Sequence, residues 1–521
     1  MLRTCLYPLA LLLIVSPARA QEPVKKAEAK PLIDAWQAAY FEGLKVGHTH
    51  RLVRRVGEGE KARYLSTHTM HLVIKRYGGV VPITIEQTCE ETAEGKVLAL
   101  GLTQTIGAPP RQGFAGKVED GEIAITVSLD GKEQGVRKLP FPADALGLYA
   151  QEAVFARKKV KPGDKLAVTS FEIALNGPLT IRAVVKDKEK VDQLAARKDK
   201  EGKLVVGREP AVLLRVETTP DKVNVGGTEV QLPAKTVWLD EKLLPAREQF
   251  EMPGLGMVTL YNTTKEAALK EGVAPDRLPD FGLNINIPLK QTIDDPYRTK
   301  EAVYRVTMKD KLNKVFAQDA RQTVRNEEGK SLELVVRAER EPGTDDTAMS
   351  PGKEFLEGNL FVDSDDERVK RLALAITGKV ADPWKKALAV ERWVHDNMKV
   401  STSVGFPNAS KIAKDLEGDC RQHALLLVAL CRAAGVPART AIGLIYVKEP
   451  GQKAYFGYHM WGEVWVRGRW LALDAVLGEG GVGATHLKMA DHSWAKTETL
   501  APLLPISQTL GKLQIEVVGA K

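Results

Sequence analysis

A helix with a distinct start and end constrains the fold of this chain most. Asp419 is followed three residues later by Gln422, just before a long apolar run. This spacing predicts a helix that begins with a capping box, with Cys420 in its first turn. The helix is expected to end at Gly435, because glycine suits a left-handed C-terminal position and Pro437 cannot continue a helix.

A β-hairpin that turns at residues 467–468 is predicted after this helix. If Val466 pairs with Arg469, then His459 and Asp474 fall on one face of the hairpin as diagonal neighbours. Their backbones would be about 7–8 Å apart, and a carboxylate at that distance reaches an imidazole. The hairpin therefore predicts a histidine oriented by an aspartate.

Cys420, His459 and Asp474 supply, in chain order, a nucleophile, a base and a group that orients the base. The unpaired N–H groups of a helix start favour a thiolate, and a nearby imidazolium lowers the thiol pKa further, from about 8.5 to roughly 3.5–7.5. The same N–H groups are suited to a developing oxyanion. These three residues are the predicted catalytic residues.

Other interpretations of the same residues stay open. His423 lies near the face of Cys420 and could compete as the base, although the sequence shows no carboxylate to orient it. Cys420, His423, Cys431 and His459 are zinc-ligand types, but they lack the paired short spacings of structural zinc sites. Residues 478–483 fit a dinucleotide-binding glycine pattern without the strand and helix that it requires, so we expect a loop there.

Residues 355–500 resemble the transglutaminase-like superfamily, a branch of papain-like thiol enzymes. The matching segments are Gly418-Asp419-Cys420, His423-Ala424, residues 432–439, His459-Met460-Trp461, Trp470 and Leu473-Asp474-Ala475. The resemblance implies an α+β core in which Cys420 opens the central helix against an antiparallel sheet. It assigns Cys420, His459 and Asp474 the nucleophile, base and orienting roles. It leaves the second oxyanion donor unassigned, with Trp393 and Asn397 upstream on a predicted helix.

The activity that the resemblance implies is cleavage or transfer of amide bonds in peptides or proteins through a thioester, with hydrolysis favoured. Cross-linking by an acyl transfer to an amine uses the same three residues. A non-catalytic binding or assembly module on the same fold is the alternative of a different class. The expected partner is a peptide or protein substrate, and the chemistry requires no cofactor or metal.

The N-terminal half shows a different pattern, with short runs of period two broken by Gly, Pro and Asp. This pattern predicts an antiparallel sheet. The expected fold is thus multidomain, an all-β N-terminal region followed by an α+β papain-like core. The predicted order is a signal peptide at 1–20, a β-rich domain at 30–265, a linker at 266–296, a β-rich segment at 297–345, the transglutaminase-like domain at 350–505 and a C-terminal strand at 506–521. The partner of the β-rich domain is not predicted.

Residues 1–20 have a basic residue, an apolar run and a small-residue end at Ala20. This arrangement predicts a cleaved secretory signal and an exported protein, periplasmic or secreted. No later stretch approaches the roughly 20 apolar residues of a transmembrane helix. The net charge of +8 comes from intermingled acids and bases rather than a basic stripe with aromatics, so nucleic acid is not an expected partner.

Cleavage would leave three cysteines, Cys89, Cys420 and Cys431. Eleven residues of helix place Cys420 and Cys431 about 16 Å apart, beyond the reach of a disulfide. Cys89 is then the only partner for Cys420 within the mature chain. At least one thiol must stay unpaired, which catalysis or simple burial would explain.

Overall fold

The computed structural model describes residues 30–107, 110–225, 228–252, 256–309, 315–344, 351–401, 405–495, 497 and 499–521. The predicted signal peptide lies outside the described residues. The described chain divides into two units by its internal contacts. The N-terminal unit comprises residues 30–75 and 80–279, and the C-terminal unit comprises residues 76–79 and 280–521.

The N-terminal unit is built mostly of strands that alternate buried and exposed side chains. Its elements are β1 (Ile33–Phe41), β2 (Leu44–Val56), β3 (Arg63–Arg76), β4 (Gly79–Thr92), β5 (Val97–Ile106), β6 (Gln112–Glu119), β7 (Glu122–Leu129), β8 (Lys132–Pro140), α1 (Leu148–Lys158), β9 (Lys165–Glu172), β10 (Gly177–Lys198), β11 (Leu204–Pro220), β12 (Val223–Val225), β13 (Thr228–Val230), β14 (Lys235–Leu239), β15 (Pro245–Met252), β16 (Gly256–Thr263) and α2 (Lys265–Leu269).

Fourteen of these strands form one antiparallel sheet among the described residues, in the order β8-β7-β6-β5-β4-β3-β2-β1-β16-β15-β14-β11-β10-β9. Antiparallel sheet is what the period-two pattern predicted, and the prediction is confirmed. Helix α1 was not predicted. Its Val154 and Phe155 pack with Val216, Val237 and other apolar side chains of β10, β11 and β14 in one buried cluster.

The C-terminal unit mixes helices with shorter strands. Its elements are α3 (Phe281–Asn284), β17 (Ile287–Pro288), β18 (Glu301–Met308), β19 (Gln322–Glu328), β20 (Ser331–Arg337), α4 (Glu367–Thr377), α5 (Pro383–Asn397), β21 (Lys399–Val400), α6 (Ala409–Asp415), β22 (Glu417–Gly418), α7 (Cys420–Ala433), β23 (Ala438–Val447), β24 (Tyr455–Val466), β25 (Arg469–Leu473), β26 (His486–His492), α8 (Leu504–Ser507) and β27 (Leu513–Ala520).

A five-stranded sheet in this unit holds β17-β24-β23-β26, with β25 paired to β24. A second sheet has the order β19-β20-β18-β27, so the predicted C-terminal strand pairs with β18. The segment 266–296, predicted as a linker, contains most of α2, a 3-10 turn at Pro275–Arg277, α3 and strand β17, which pairs with β24. The elements α2, α3 and β17 are each only two to five residues long, which is too short to give a periodic pattern among the proline and polar residues.

Helix α7 is the core of the C-terminal unit, and every residue from Cys420 to Arg432 is buried. It packs on β23 and β24 on one side and on α4, α5 and α6 on others. A helix that is apolar around most of its circumference belongs in such an interior. Gly462 of β24 permits the close approach, because a Cβ there would lie 2.4 Å from a methyl carbon of Leu427.

No helix within the described part of the chain is long and apolar enough to span a membrane.

Candidate active site

Helix α7 begins as the sequence predicted. Asp419 is its N-cap, and the complete capping box with Gln422 is present. The side chain of Asp419 accepts from the Arg421 N–H, and the Asp419 N–H donates to Oε1 of Gln422 at 3.0 Å. Gly418 has a φ of +155°, and a Cβ at this position would lie 2.4 Å from Cβ of Gln422. Cys420 is the first residue of the helix and is 2% exposed.

Two arginines hold the N-cap carboxylate. Arg76, at the end of β3 and part of the C-terminal unit, donates to Oδ2 of Asp419 at 3.1 Å, and Arg421 donates to Oδ1 at 2.8 Å. Burial alone would raise the pKa of Asp419, but the two guanidinium charges outweigh it and lower that pKa. Two positive charges against one negative charge leave an excess of positive charge beside Cys420, which favours a thiolate.

The hairpin register is confirmed. Val466 pairs with Arg469, and the pairing continues to Gly462 and Leu473. His459 and Asp474 consequently meet, with His459 Nε2 lying 2.7 Å from Asp474 Oδ2 and each side chain only 1% exposed.

Asp474 is held as an anion inside the unit. Burial works to raise its pKa, but the charge and hydrogen bond of His459 and the hydrogen bond from His486 lower the pKa well below its usual range. Its second oxygen, Oδ1, accepts the backbone N–H of Val476 at 2.9 Å. A short, buried, charge-assisted hydrogen bond of this kind fixes the orientation and the tautomer of the histidine.

His486 is a site residue that the sequence analysis did not find. Its Nε2 lies 3.1 Å from the same Oδ2 of Asp474, and its side chain is fully buried. Burial lowers the pKa of His486 to about 4, so the ring is neutral at pH 7 and donates from Nε2. Its Nδ1 has no hydrogen-bond partner among the described residues. His486 is the first residue of β26, and no sequence motif links it to the hairpin.

Glu391 of α5 is the second residue that sequence reasoning missed. Its Oε1 accepts the backbone N–H of Asp474 at 3.1 Å, and the N–H groups of Gly480 and Gly481 also bond to it. Burial and the charge of Asp474 raise the pKa of Glu391 to about 7. Through these hydrogen bonds, Glu391 holds both the end of β25 and the glycine-rich segment at 478–483. This segment is a loop, as expected from the sequence.

His423, the alternative base, is bound to the backbone. Its Nδ1 lies 2.8 Å from the carbonyl oxygen of Asp419, to which it donates, and burial lowers its pKa. The orienting group of His423 is thus a carbonyl of its own helix, whereas that of His459 is a carboxylate. Of the two candidates for the second oxyanion donor, Asn397 donates its side-chain amide to the carbonyl of Trp393 at 2.8 Å.

One group of side chains within the described residues has the geometry to hold a metal ion. Nitrogen and oxygen atoms of His459, Asp474 and His486 lie within 4.8 Å of one another. The contacts at 2.7 and 3.1 Å are ordinary hydrogen-bond distances, and two imidazoles that donate to one carboxylate account for both. The four zinc-ligand types considered in the sequence do not form such a group in the part of the chain that is described.

Cys89 and Cys431 are both free and buried. The pairing of Cys89 with Cys420, which the sequence left possible, is therefore wrong. Burial raises the pKa of the Cys431 thiol, as expected for an inert buried cysteine. Cys420 is disulfide-bonded in this structure, so the chemistry proposed for it is that of its reduced thiol.

Residues 370–475 match the family model of the transglutaminase-like superfamily. The match begins within α4 and ends just beyond Asp474, so it spans α5, α7 and the hairpin. This chain therefore contains a transglutaminase-like domain, preceded by the 14-stranded N-terminal sheet.

An uncharacterized protein of Haemophilus influenzae is 35% identical over 97 residues, which are 18% of this chain and 26% of that protein. The chain thus spans about a quarter of the length of this curated relative. A "putative cysteine protease" from Cytophaga hutchinsonii is similar with 16% identity and a TM-score of 0.28, over 43% of this chain and 86% of that one. A β-barrel-like protein of a domain of unknown function from Brucella abortus is similar with 11% identity and a TM-score of 0.31, over 45% of this chain and 98% of that one.

Proposed function

We propose that this chain is an exported cysteine enzyme that cleaves amide bonds of peptides or proteins, with Cys420 as nucleophile, His459 as base and acid, and Asp474 as the group that orients His459. The observation that carries the proposal is the buried hydrogen bond of 2.7 Å between His459 Nε2 and Asp474 Oδ2. It lies in the same unit as a helix that begins at Cys420 and packs on the strand of His459.

The orientation of the imidazole fits this role. Because Nε2 of His459 faces Asp474, Nδ1 is the nitrogen that would exchange a proton with Cys420 and then with the leaving group. The carboxylate of Asp474 stabilises the imidazolium that forms when the thiol proton moves. His486 and Glu391 hold Asp474 through its side chain and its backbone, respectively.

In the proposed reaction, the thiolate sulfur of Cys420 attacks the amide carbonyl carbon and forms a carbon–sulfur bond. The imidazolium of His459 protonates the departing nitrogen as the carbon–nitrogen bond breaks, which leaves a thioester. Water, deprotonated by the same imidazole, then attacks the thioester and releases a carboxylic acid and the thiol. The N–H groups at the start of α7 are suited to the oxyanion of both steps.

The first test compares Cys420 with the other two cysteines, which are natural internal controls. The mature, reduced chain is treated with iodoacetamide, an amide-bearing electrophile, and alkylation of Cys420, Cys89 and Cys431 is followed by mass spectrometry. At pH 6 we expect Cys420 to react at least about tenfold faster than free cysteine, because the thiolate is the reacting form. His459→Ala should abolish this excess rate, and Cys431→Ala should leave it unchanged.

Alkylation of Cys420 no faster than free cysteine, without dependence on His459, would contradict the enzyme assignment. It would favour the non-catalytic binding module considered from the sequence.

The second test distinguishes hydrolysis from cross-linking. A peptide library that contains glutamine is incubated with the enzyme and an excess of a primary amine, and the products are analysed for new carboxylates, released ammonia and new isopeptide bonds. Hydrolysis predicts carboxylates as the main product even with the amine present. A predominance of isopeptide products would replace hydrolysis by acyl transfer, and Cys420→Ala should remove either product.

The proposed export concerns residues outside the described part of the chain. Expression with the complete N-terminus should give a mature protein that begins at or near Gln21. N-terminal sequencing of the protein from the periplasm or medium checks this, and an uncleaved protein retained in the cytoplasm would overturn it.

A further inference from the structure

The N-terminal unit contains a partly open cavity of about 260 Å³. Its walls come from β1–β4 on one side, from β9–β11 and β14–β16 on the other, and from α1. Much of the lining is apolar and includes Met70, Ile85, Phe155, Ala183 and Val237. A cavity of about 150 Å³ holds a molecule of the size of benzene, so this cavity has room for a somewhat larger small molecule.

A row of polar side chains crosses one wall of this cavity. Arg51 and His68 are direct cross-strand partners on β2 and β3, and Gln87 on β4 interacts with His68. All three line the cavity, and Arg51 and Gln87 are only 8% and 6% exposed. Nε of Arg51, Nε2 of His68 and Oε1 of Gln87 have no partner in hydrogen-bonding geometry among the described residues. The wall therefore presents three unused polar atoms: an N–H of a guanidinium, a nitrogen of an imidazole and the oxygen of an amide.

The charges around this row are already balanced. Arg51 pairs with Glu152 of α1 at 3.0 Å, and Lys235 pairs with Glu248 at 2.8 Å. Burial alone would raise the pKa of Glu248, but the charges of Lys235 and Arg51 lower it to about 2, so Glu248 is ionised. Two cations and two anions leave no net charge for a charged ligand to neutralise. A neutral ligand avoids the cost of burying an unpaired charge.

From these observations we infer that the cavity binds a small neutral amphipathic molecule that carries an amide. The carbonyl of the amide would accept from Nε of Arg51, its N–H would donate to Oε1 of Gln87, and an apolar chain would occupy the rest of the cavity. Buried polar groups are normally hydrogen-bonded, and this ligand satisfies two of the three unused atoms at once. The inference does not depend on the proposed function, since every lining residue belongs to the N-terminal unit.

The test uses four probes that share one alkyl length. N-methylhexanamide and methyl hexanoate each have nine non-hydrogen atoms, but the ester lacks the N–H donor. Hexanoate and hexylammonium carry charges of either sign. Dissociation constants for the full mature chain are measured by ligand-observed NMR titration. We expect the amide to bind about tenfold more tightly than the ester, because the ester leaves Gln87 unpaired, and more tightly than both ions.

Two variants sharpen the result. Gln87→Leu should erase the preference for the amide over the ester while the ester still binds. Ala183→Phe should fill the cavity and weaken all four probes. Cys420→Ala should bind the amide like the natural chain, so failure of the proposed enzyme function would leave this result unaffected.

The natural chain alone decides the inference, even if a variant fails to fold. Equal binding of amide and ester would overturn the assigned head group. Preference for an ion would overturn the neutral ligand, and binding of none of the probes would mean that water alone occupies the cavity.

Discussion

Both units of this protein bury ionised groups, but they arrange them differently. In the C-terminal unit a single carboxylate, Asp474, is shared by His459 and His486. At the cavity of the N-terminal unit, Glu152 is paired with Arg51 and Glu248 with Lys235. The first arrangement places two imidazoles, which can accept and release protons, on one carboxylate, whereas the second pairs each of these carboxylates with a guanidinium or an ammonium group.

This difference separates chemistry from recognition. A carboxylate with two imidazoles can redistribute charge as a proton moves, which general acid–base catalysis requires. Removal of one partner of a buried ion pair destabilises the folded protein, and such pairs contribute mainly to the shape and polarity of their surroundings. If the two arrangements differ in this way, substitution of Asp474 should mainly affect catalysis, and substitution of Arg51 should mainly affect stability.

Asp474→Asn should lower kcat/KM for a peptide amide substrate by about 10²–10⁴, because a neutral amide cannot stabilise the imidazolium of His459. Steady-state kinetics check this, with circular dichroism to confirm the fold. Asp415→Asn, at an exposed helical ion pair with Lys411, is the matched control and should leave kcat/KM unchanged. A D474N enzyme of full activity would remove Asp474 from the proposed mechanism.

Arg51→Met should reduce the free energy of unfolding by about 3–5 kcal/mol, because Glu152 is left buried without its cation. The double variant Arg51→Met with Glu152→Leu should regain most of that loss. Urea denaturation measures both, and Lys138→Met, at an exposed pair, should change little. A double variant as unstable as the single one would show that the lost stability does not come from leaving Glu152 without its cation.

Glu391→Gln should change how stability depends on pH. Because the pKa of Glu391 is raised to about 7 in the folded state, the stability that its neutral form contributes is complete below pH 4.5 and is lost as the pH rises through 7. A carboxamide keeps the neutral form, so E391Q should gain up to about 3 kcal/mol on the natural chain between pH 5 and pH 8. Thermal denaturation at both pH values measures this gain, and the exposed control Glu328→Gln should show none.

His486→Leu should lower kcat by about tenfold with little change in KM, since His486 positions Asp474 and is not proposed to contact substrate. His486→Gln should recover much of the loss, because a carboxamide can still donate to the carboxylate. Steady-state kinetics on both variants check this. If the glutamine variant were as slow as the leucine variant, a role through the donated hydrogen bond would be excluded.

Local sequence patterns predicted the parts of the candidate site that lie close along the chain. The capping box of Asp419 and Gln422 depends on four residues, and its geometry is as expected. The register of the hairpin follows from its two-residue turn, so the meeting of His459 with Asp474 was predictable. In both cases the chain geometry leaves few alternatives.

Sequence reasoning missed the side chains that reach the site from distant positions. Arg76 lies 343 residues from Asp419, and Glu391 lies 83 residues from Asp474. His486 is only 12 residues from Asp474, but an irregular loop intervenes and sets its direction. None of these residues carries a periodic or motif signal, because their roles depend on how separate elements pack.

The sequence by itself determined that an all-β region precedes an α+β region, that α7 begins at Cys420 and that His459 pairs with Asp474. Only the tertiary structure decided which groups support them and where the N-terminal sheet leaves a cavity. The physical reason is the distance along the chain over which each interaction acts. Capping, turns and alternation act over a few residues, whereas the charge shared at Asp474 and the row formed by Arg51, His68 and Gln87 exist only after distant strands and helices have packed.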